Sequence, residues 1–322
     1  MAFIDIFNGD ADGICALTQL RLADPRPSRL VTGVKRDIAL LGSVAFEAGD
    51  ELTVLDISLD KNREALQQAL DIGARCFYVD HHFAGEIPDH PKLQALINTA
   101  SDVCTSILVN RHLGGAYAEW AVVGAFGDNL NLSASAIARP LGLDGAKLEQ
   151  LKQLGIYINY NGYGAREEDL HFRPAELYRL ISIHASPFGF IRDDCVSFRK
   201  LEQGYQEDME QAAAVQPESA DQYVALYILP HAPWARRVSG VFSNDLANRF
   251  PNRAHAVLTL NADDSYLVSV RAPLSNKNGA DEVCRQFLSG GGRKAAAGIN
   301  QLPVADIPAL LGAMHNYYKQ SS

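Results

Sequence analysis

The segment VDHHF, residues 79 to 83, places one aspartate and two adjacent histidines directly after an apolar run. The run itself, residues 74 to 79, has the length and composition of a short buried strand. Side chains at the carboxyl ends of parallel strands face the crevice in which ligands bind, so Asp80, His81 and His82 are placed to bind a metal or to take part in catalysis. Neighbouring histidines in loops often serve only as hydrogen-bonding groups, so either role needs support from further residues.

Aspartates also follow three other apolar runs, with Asp10 and Asp12 in FNGDADG, Asp56 in VLDIS and Asp128 in GAFGDN. Each aspartate by itself is typical of a turn or a helix cap. Strand ends of a parallel sheet meet at one edge, however, so the sequence predicts that these clusters converge. Four carboxylates and an imidazole suit Mn²⁺ or Mg²⁺ better than structural zinc. Two such ions that share a carboxylate activate water and stabilise in-line displacement at phosphorus, and phosphoester hydrolysis is therefore the predicted reaction.

The elements that must position these residues alternate between strands and helices. Strands are predicted at residues 2–7, 30–34, 52–55 and 74–79, and helices at 16–22 and 61–72. This alternation predicts an α/β fold with a parallel sheet that is covered on both faces.

The chain changes character after Asp128. Helical patterns at 146–157 and 173–183 precede a charged stretch, and strands then return as VALYIL, AVLTL and SYLVSVRA, mixed with helical segments at 242–249 and 279–288. We predict a first domain over residues 1–190, a linker or connecting helix over 191–220, and a smaller α+β domain over 221–322.

Composition limits the class of protein. The chain has 322 residues, of which 47% are hydrophobic and 21% charged, enough apolar residues for two cores. No apolar stretch reaches 18 residues and no signal-peptide pattern is visible, so we expect a cytoplasmic protein without a membrane partner. The five cysteines are scattered and form no C-x-x-C pair, which argues against a disulfide framework and against a thiolate zinc site.

The charge differs between the two halves. Residues 219–322 contain ten basic and seven acidic side chains, which leaves 19 basic and 31 acidic side chains in residues 1–218. A protein that tracks long nucleic acid usually carries a strong basic surplus, because each phosphate contact needs a cation. The small surplus here favours a short anionic substrate.

Four of the quoted segments, NGDADG, LDIS, VDHH and GAFGDN, resemble in order and spacing the metal-binding motifs of the DHH phosphoesterases. That family includes NrnA oligoribonucleases, RecJ exonucleases, cyclic-dinucleotide phosphodiesterases and family II inorganic pyrophosphatases. The resemblance implies a Rossmann-like DHH domain that holds two divalent cations, with Mn²⁺ preferred and Mg²⁺ as the alternative. Its implied ligands are Asp10, Asp12, Asp56, His81 and Asp128. Asp56 would bridge the ions, and the flanking Asp80 and His82 would orient His81 or contact the scissile phosphate.

Two positions depart from the family pattern. Ile6 stands where members commonly have a histidine, and Asn8 stands where RecJ-like members have an aspartate. Asn8 offers the first metal site only a neutral carbonyl oxygen. We therefore expect this site to be weaker, or to be completed by water or substrate.

The segment SGGGRKAAAG, residues 289–298, is similar to the glycine-rich motif of the DHH-associated domain. Successive glycines allow a close backbone approach to an anion, and their N–H groups can form a phosphate-binding nest. The resemblance implies that Gly290, Gly291, Gly292 and Arg293 bind substrate, with Arg293 in place of a usual histidine. Arg271, at the end of SYLVSVRA, matches the family's phosphate-binding arginine, and the active site would lie in the cleft between the two domains.

The predicted function is hydrolysis of very short RNA, chiefly linear dinucleotides such as pGpG, to 5′-mononucleotides. A RecJ-like exonuclease on single-stranded DNA is the first alternative, and a phosphatase for 3′-phosphoadenosine phosphate is another. A non-catalytic nucleotide-binding sensor is the alternative from a different class, while the glycine-rich domain disfavours an inorganic pyrophosphatase. A homodimer is left open.

Overall fold

Five parallel strands form the sheet of the N-terminal region in the computed structural model, which describes residues 1–320. These strands are β1 (Phe3–Phe7), β2 (Arg29–Val31), β3 (Glu51–Leu55), β4 (Arg75–Asp80) and β5 (Leu93–Ile97). They are ordered β2-β1-β3-β4-β5, and every neighbouring pair is parallel. The strand order reverses between β1 and β3, and such a switch point is where open α/β sheets bind their ligands.

Nine helices follow or connect these strands among the described residues. They are α1 (Ala11–Ala23), α2 (Leu59–Ile72), α3 (Thr105–His112), α4 (Ala118–Gly127), α5 (Asn131–Ala138), α6 (Gly145–Gly162), α7 (Pro174–Ile181), α8 (Pro187–Asp193) and α9 (Cys195–Ala214). The chain divides into two compact units after Gln203, within α9. This helix lies in the segment predicted as linker or connecting helix.

Side chains from opposite faces of β1 enter different apolar layers. Ile4 and Ile6 belong to one buried cluster with Leu66 of α2, whereas the ring of Phe7 packs 5.5 Å from that of Tyr178 in α7. Successive residues of a strand point to opposite faces, so both faces of this sheet are covered by helices. The predicted covered parallel sheet is confirmed.

The second unit contains a mixed six-stranded sheet. Its elements are β6 (Ser219–Ala220), β7 (Val224–Leu229), α10 (Pro233–Arg249), β8 (Ala254–Leu260), β9 (Tyr266–Arg271), α11 (Ala280–Cys284), β10 (Gly290–Gly292), β11 (Ala296–Leu302) and α12 (Ile307–Gln320). The order is β10-β11-β9-β8-β7-β6, in which only β7 and β8 pair in parallel. Strands β8, β9 and β11 form an apolar core with α11 and α12, and the predicted α+β character of this unit is confirmed.

The position predicted for Asp128 at a strand end is wrong. Asp128 caps the C-terminal end of α4, because the apolar run before it continues a helix. The three-glycine run forms the short strand β10, which pairs with β11. Among residues 1–320, no helix is long and apolar enough to cross a membrane.

Candidate metal centre

The turn after β1 is fixed by its own polar side chains. Asp10 caps α1, and its Oδ1 accepts hydrogen bonds from the backbone N–H groups of Asp12 at 2.9 Å and Gly13 at 3.1 Å. Asn8 Oδ1 in turn accepts a hydrogen bond from the N–H of Asp10. A Cβ atom at Gly13 would lie 2.2 Å from the Asn8 carbonyl oxygen, so this tight turn requires glycine. Asn8 therefore stabilises the turn that presents both aspartates.

Asp12 caps the N-terminal end of α3, a helix that is distant in the sequence. Its carboxylate accepts hydrogen bonds from the N–H of Thr105 at 2.7 Å and from the N–H and hydroxyl of Ser106 at 2.7 and 2.6 Å. These donors begin α3, whose N-terminal end favours negative charge. The side chain of Asp12 is 1% exposed and is held in one orientation by these bonds.

Asp56 follows β3 in an uncommon backbone conformation. Its φ of 60° lies in the left-handed region, which non-glycine residues rarely occupy outside functional sites and turns. Its Oδ1 accepts a hydrogen bond from the Thr105 hydroxyl at 3.1 Å. Burial raises the pKa of Asp56 well above its ordinary value, and the nearby charges of Asp12 and Asp10 raise it further. A bound cation would stabilise the ionised form of this carboxyl.

The two histidines after β4 have different partners. His81 Nδ1 lies 3.0 Å from the carbonyl oxygen of Val103, which can only accept a hydrogen bond, so Nδ1 carries the proton and Nε2 keeps its lone pair in the neutral ring. His82 Nδ1 lies 2.7 Å from Asp80 Oδ1. Val103, and not Asp80 or His82, therefore orients His81, while Asp80 orients His82.

Three carboxylates surround the free nitrogen of His81. Its Nε2 lies 3.4 Å from Asp56 Oδ1, 3.9 Å from Asp12 Oδ2 and 4.0 Å from Asp128 Oδ2. Ligands of one hard cation with bonds of about 2.1 Å are separated by roughly 3 to 4 Å. His82 is also near this cluster, since one ligand atom each from Asp56, His81 and His82 lie within 4.8 Å of one another.

The electrostatics of this cluster favour a divalent cation. Asp128 Oδ2 is buried and has no hydrogen-bond partner within the described chain. Burial raises the pKa of Asp128, although Lys35 and His81 lower it in part. A buried carboxylate oxygen without a donor is costly unless a cation neutralises it. The residues present therefore fit one divalent ion held by Asp12, Asp56, His81 and Asp128.

Lys35 was not predicted from sequence, although it contacts this edge of the sheet. Its ammonium lies 2.5 Å from Asp10 Oδ2 and 2.8 Å from Asn159 Oδ1, with the ring centre of Tyr163 at 5.3 Å. Burial would lower the pKa of Lys35, but the Asp10 carboxylate raises it above its ordinary value. Lys35 follows β2, so its position at a strand end was the signal that could have identified it.

The predicted substrate-binding residues of the second unit are held by local contacts. Arg271 ends β9, and its guanidinium donates hydrogen bonds to Asn244 Oδ1 at 2.7 Å and Ser269 Oγ at 2.9 Å. Arg293 is exposed in the turn between β10 and β11, where its N–H donates to the Ala296 carbonyl at 2.9 Å. Asn244 and Ser269 were not predicted, because nothing in the sequence pairs them with Arg271.

Two of the three glycines of β10 are required by packing. A Cβ atom at Gly290 would lie 1.7 Å from the Cys284 carbonyl oxygen, and one at Gly292 would lie 2.5 Å from Ala297 Cα. Gly292 also has a φ of 138°, which favours glycine. A Cβ atom at Gly291 would meet nothing within 4 Å, so packing does not require glycine at this position.

No protein-family model matches the chain, and no curated protein sequence matches it. Solved structures share its fold. The exonuclease RecJ bound to manganese is 17% identical with a TM-score of 0.62, covering 99% of this chain and 90% of that one. The pGpG-specific phosphodiesterase PggH from Vibrio cholerae is 15% identical with a TM-score of 0.59, and each chain is covered completely.

RecJ in complex with Mn²⁺ from Thermus thermophilus is 16% identical, with a TM-score of 0.66 over 99% of this chain. The chain spans about half, 52%, of the length of that RecJ. At these identities the likeness shows the fold, and it confirms the predicted α/β architecture.

Proposed function

We propose that this chain is a divalent-metal-dependent phosphodiesterase that cleaves very short oligoribonucleotides, chiefly linear dinucleotides such as pGpG, to 5′-mononucleotides in the cytoplasm. The observation that carries the proposal is the position of His81 Nε2 within 4.0 Å of carboxylate oxygens from Asp12, Asp56 and Asp128. A divalent ion at this centre, with Mn²⁺ preferred, would lower the pKa of a bound water and stabilise charge at phosphorus.

Asp80 and His82 supply the second element of the proposed mechanism. The side chain of His82 is 44% exposed, whereas that of Asp80 is fully buried. Burial would lower the pKa of His82, but the hydrogen bond to Asp80 and the charge of Asp56 raise it above its ordinary value. A cationic His82 can stabilise charge on the phosphoryl oxygens and protonate the 3′-oxygen when the bond from phosphorus to that oxygen breaks.

The second unit carries the residues that we propose to bind a substrate phosphate. Arg271, held in place by Asn244 and Ser269, would supply positive charge to a substrate phosphate, and Gly291 and Arg293 offer open backbone and an exposed cation. The pGpG-specific phosphodiesterase PggH, which shares the fold over its complete length, supports a short substrate. The small basic surplus of residues 219–322 agrees with this size.

A RecJ-like exonuclease acting on single-stranded DNA is the second candidate. It is favoured by the TM-score of 0.66 to the RecJ from Thermus thermophilus.

A competition digest separates the two candidates. The protein is incubated with Mn²⁺ and an equimolar mixture of 5′-phosphorylated diribonucleotide, a short RNA of about seven residues and a single-stranded DNA of about thirty residues, and products are followed by mass spectrometry. We expect selective conversion of the dinucleotide to two mononucleotides. Stepwise shortening of the DNA would instead favour the RecJ-like activity, and no turnover of any substrate would contradict both.

A further inference from the structure

Asp10 differs from the other aspartates of the centre because a cation of the chain itself already neutralises it. Its Oδ1 accepts two backbone hydrogen bonds, and its Oδ2 lies 2.5 Å from the Lys35 ammonium. Lys35 is fixed by a second oxygen, Asn159 Oδ1, at 2.8 Å, and its side chain is only 23% exposed. Both oxygens of Asp10 therefore have donors, whereas Asp128 Oδ2 has none within residues 1–320.

We propose that the Lys35 ammonium takes the place of a second divalent ion beside Asp10, so that this centre binds one divalent ion and not two. The inference rests on the proposed function for its premise that the centre binds a metal at all. It departs from the two-ion arrangement that the sequence motifs imply. The single ion would lie among Asp12, Asp56, His81 and Asp128.

The groups around Asp10 offer a second ion little else. Ile6 is an apolar side chain with no exposed surface, and the side-chain carbonyl oxygen of Asn8 accepts a hydrogen bond from the N–H of Asp10. A dication that approached Asp10 Oδ2 would also lie beside the Lys35 ammonium, and like charges repel strongly at such short range in a buried site. The ion would have to displace Lys35 from two hydrogen-bonding oxygens.

The C-terminal end of α6 secures Lys35 in this position. Asn159 and Gly162 belong to α6, and a Cβ atom at Gly162 would lie 3.1 Å from Asp10 Cα, so the helix end approaches the turn after β1 closely. The N–H of Lys35 donates a hydrogen bond to the Gly162 carbonyl at 2.8 Å. Backbone and side chain of Lys35 are thus both anchored to α6, which makes displacement by an ion unfavourable.

Metal counting tests the inference without any substrate. Metal-free protein is titrated with Mn²⁺, the number of bound ions is measured by calorimetry, and electron paramagnetic resonance distinguishes an isolated ion from a spin-coupled pair. We expect one ion per chain with an isolated signal in the unaltered protein. In Lys35→Ala, which frees Asp10 and opens space beside it, we expect a second ion and a coupled signal. Lys152→Ala, which changes a partly exposed lysine on the same helix as Asn159, is the matched control and should bind one ion.

The outcomes separate the inference from the proposed function. A coupled pair in the unaltered protein overturns the inference and leaves metal-dependent catalysis intact. If the unaltered protein and Lys35→Ala both bind one ion, Lys35 is not the group that excludes a second ion, and the inference is overturned. No bound Mn²⁺ in any variant removes the premise and contradicts the proposed function itself. Retention of the first ion in Lys35→Ala shows that the variant has folded.

Discussion

The two units of the chain distribute their polar groups in different ways. In the first unit, a parallel sheet carries Asp10, Asp56 and Asp80 at one edge, although they come from three separate segments. In the second unit, the sheet is mixed, and Arg271 at the end of β9 and the glycines of β10 are held by their own neighbours. Parallel strands all end at the same edge, whereas strands of a mixed sheet end at both. Polar residues at strand ends are therefore predicted to lie close together only in the first unit.

The buried titratable groups of the two units also differ. Burial and neighbouring charge raise the pKa of Asp56 in the first unit, so its ionised form needs a cation. In the second unit, burial and the charge of Arg253 lower the pKa of His255 to about 4, so this side chain is neutral in the folded state. The buried carboxyl groups of the first unit favour a bound cation, whereas the core of the second unit holds a neutral imidazole.

The largest expected effect comes from removal of the central imidazole of the first unit. His81→Ala deletes the nitrogen that lies among three carboxylates. We expect turnover of a dinucleotide to fall by on the order of 10³-fold and the affinity for Mn²⁺ to fall with it, because charge stabilisation at phosphorus depends on the ion. His90→Ala, which changes a partly exposed histidine of the same unit, is the control. Near-normal turnover in His81→Ala would contradict the proposed role of His81 in holding the ion.

Acid should destabilise the second unit through His255. Its folded-state pKa of about 4 lies below the ordinary value of about 6.5. Between these two pH values the imidazole binds a proton in the unfolded chain but not in the folded unit. Stability is therefore lost as the pH falls from about 6.5 towards 4, by ~2 kcal/mol at a pH of about 5. Hydrogen exchange of β8 amides at neutral and mildly acid pH measures this loss.

Two variants test whether His255 causes this loss of stability in acid. His255→Leu removes the titrating group and should flatten the pH dependence of β8 protection. His231→Leu changes an exposed histidine of the same unit and should leave it unchanged. Equal pH dependence in the protein and in His255→Leu would show that the buried core of the second unit is not what responds to acid.

Adjacent glycines should separate packing from substrate binding in β10. Gly290→Ala would press a methyl group against the Cys284 carbonyl and should destabilise the second unit by about 1–3 kcal/mol. Gly291→Ala meets no neighbour and should change stability by less than about 0.5 kcal/mol. Thermal unfolding measures both effects. A higher Michaelis constant in Gly291→Ala, at unchanged stability, would indicate that substrate approaches this backbone.

Much of the fold and most of the acidic centre were predictable because both depend on local pattern. Short apolar runs identified β1, β3 and β4, and the polar residue after each run then follows from parallel topology. Strand β5 was missed because its residues are only partly buried or exposed, so its pattern is weak. The start of α1 was missed by five residues because Asp10 caps the helix before its apolar repeat begins.

The partners of the site residues depend on tertiary contacts that no local pattern encodes. Thr105 donates to Asp12 from 93 positions along the chain, because the N-terminal end of α3 meets the turn after β1. Asp128 reaches His81 from the end of a helix. Lys35 directly follows a predicted strand, so the strand-end rule identifies it as well when it is extended from acidic and imidazole groups to cations.

Arg271 is expected to affect catalysis much less than His81 does, because it would bind substrate without taking part in the bond that breaks. Arg271→Ala removes a charge-assisted phosphate contact and should raise the Michaelis constant about tenfold with a nearly unchanged turnover number. Arg285→Ala is the control, since Arg285 is exposed and pairs with Asp281 at 3.0 Å. Steady-state kinetics on a dinucleotide measure both constants. An effect on the turnover number alone would contradict this binding role and indicate that Arg271 acts in the transition state.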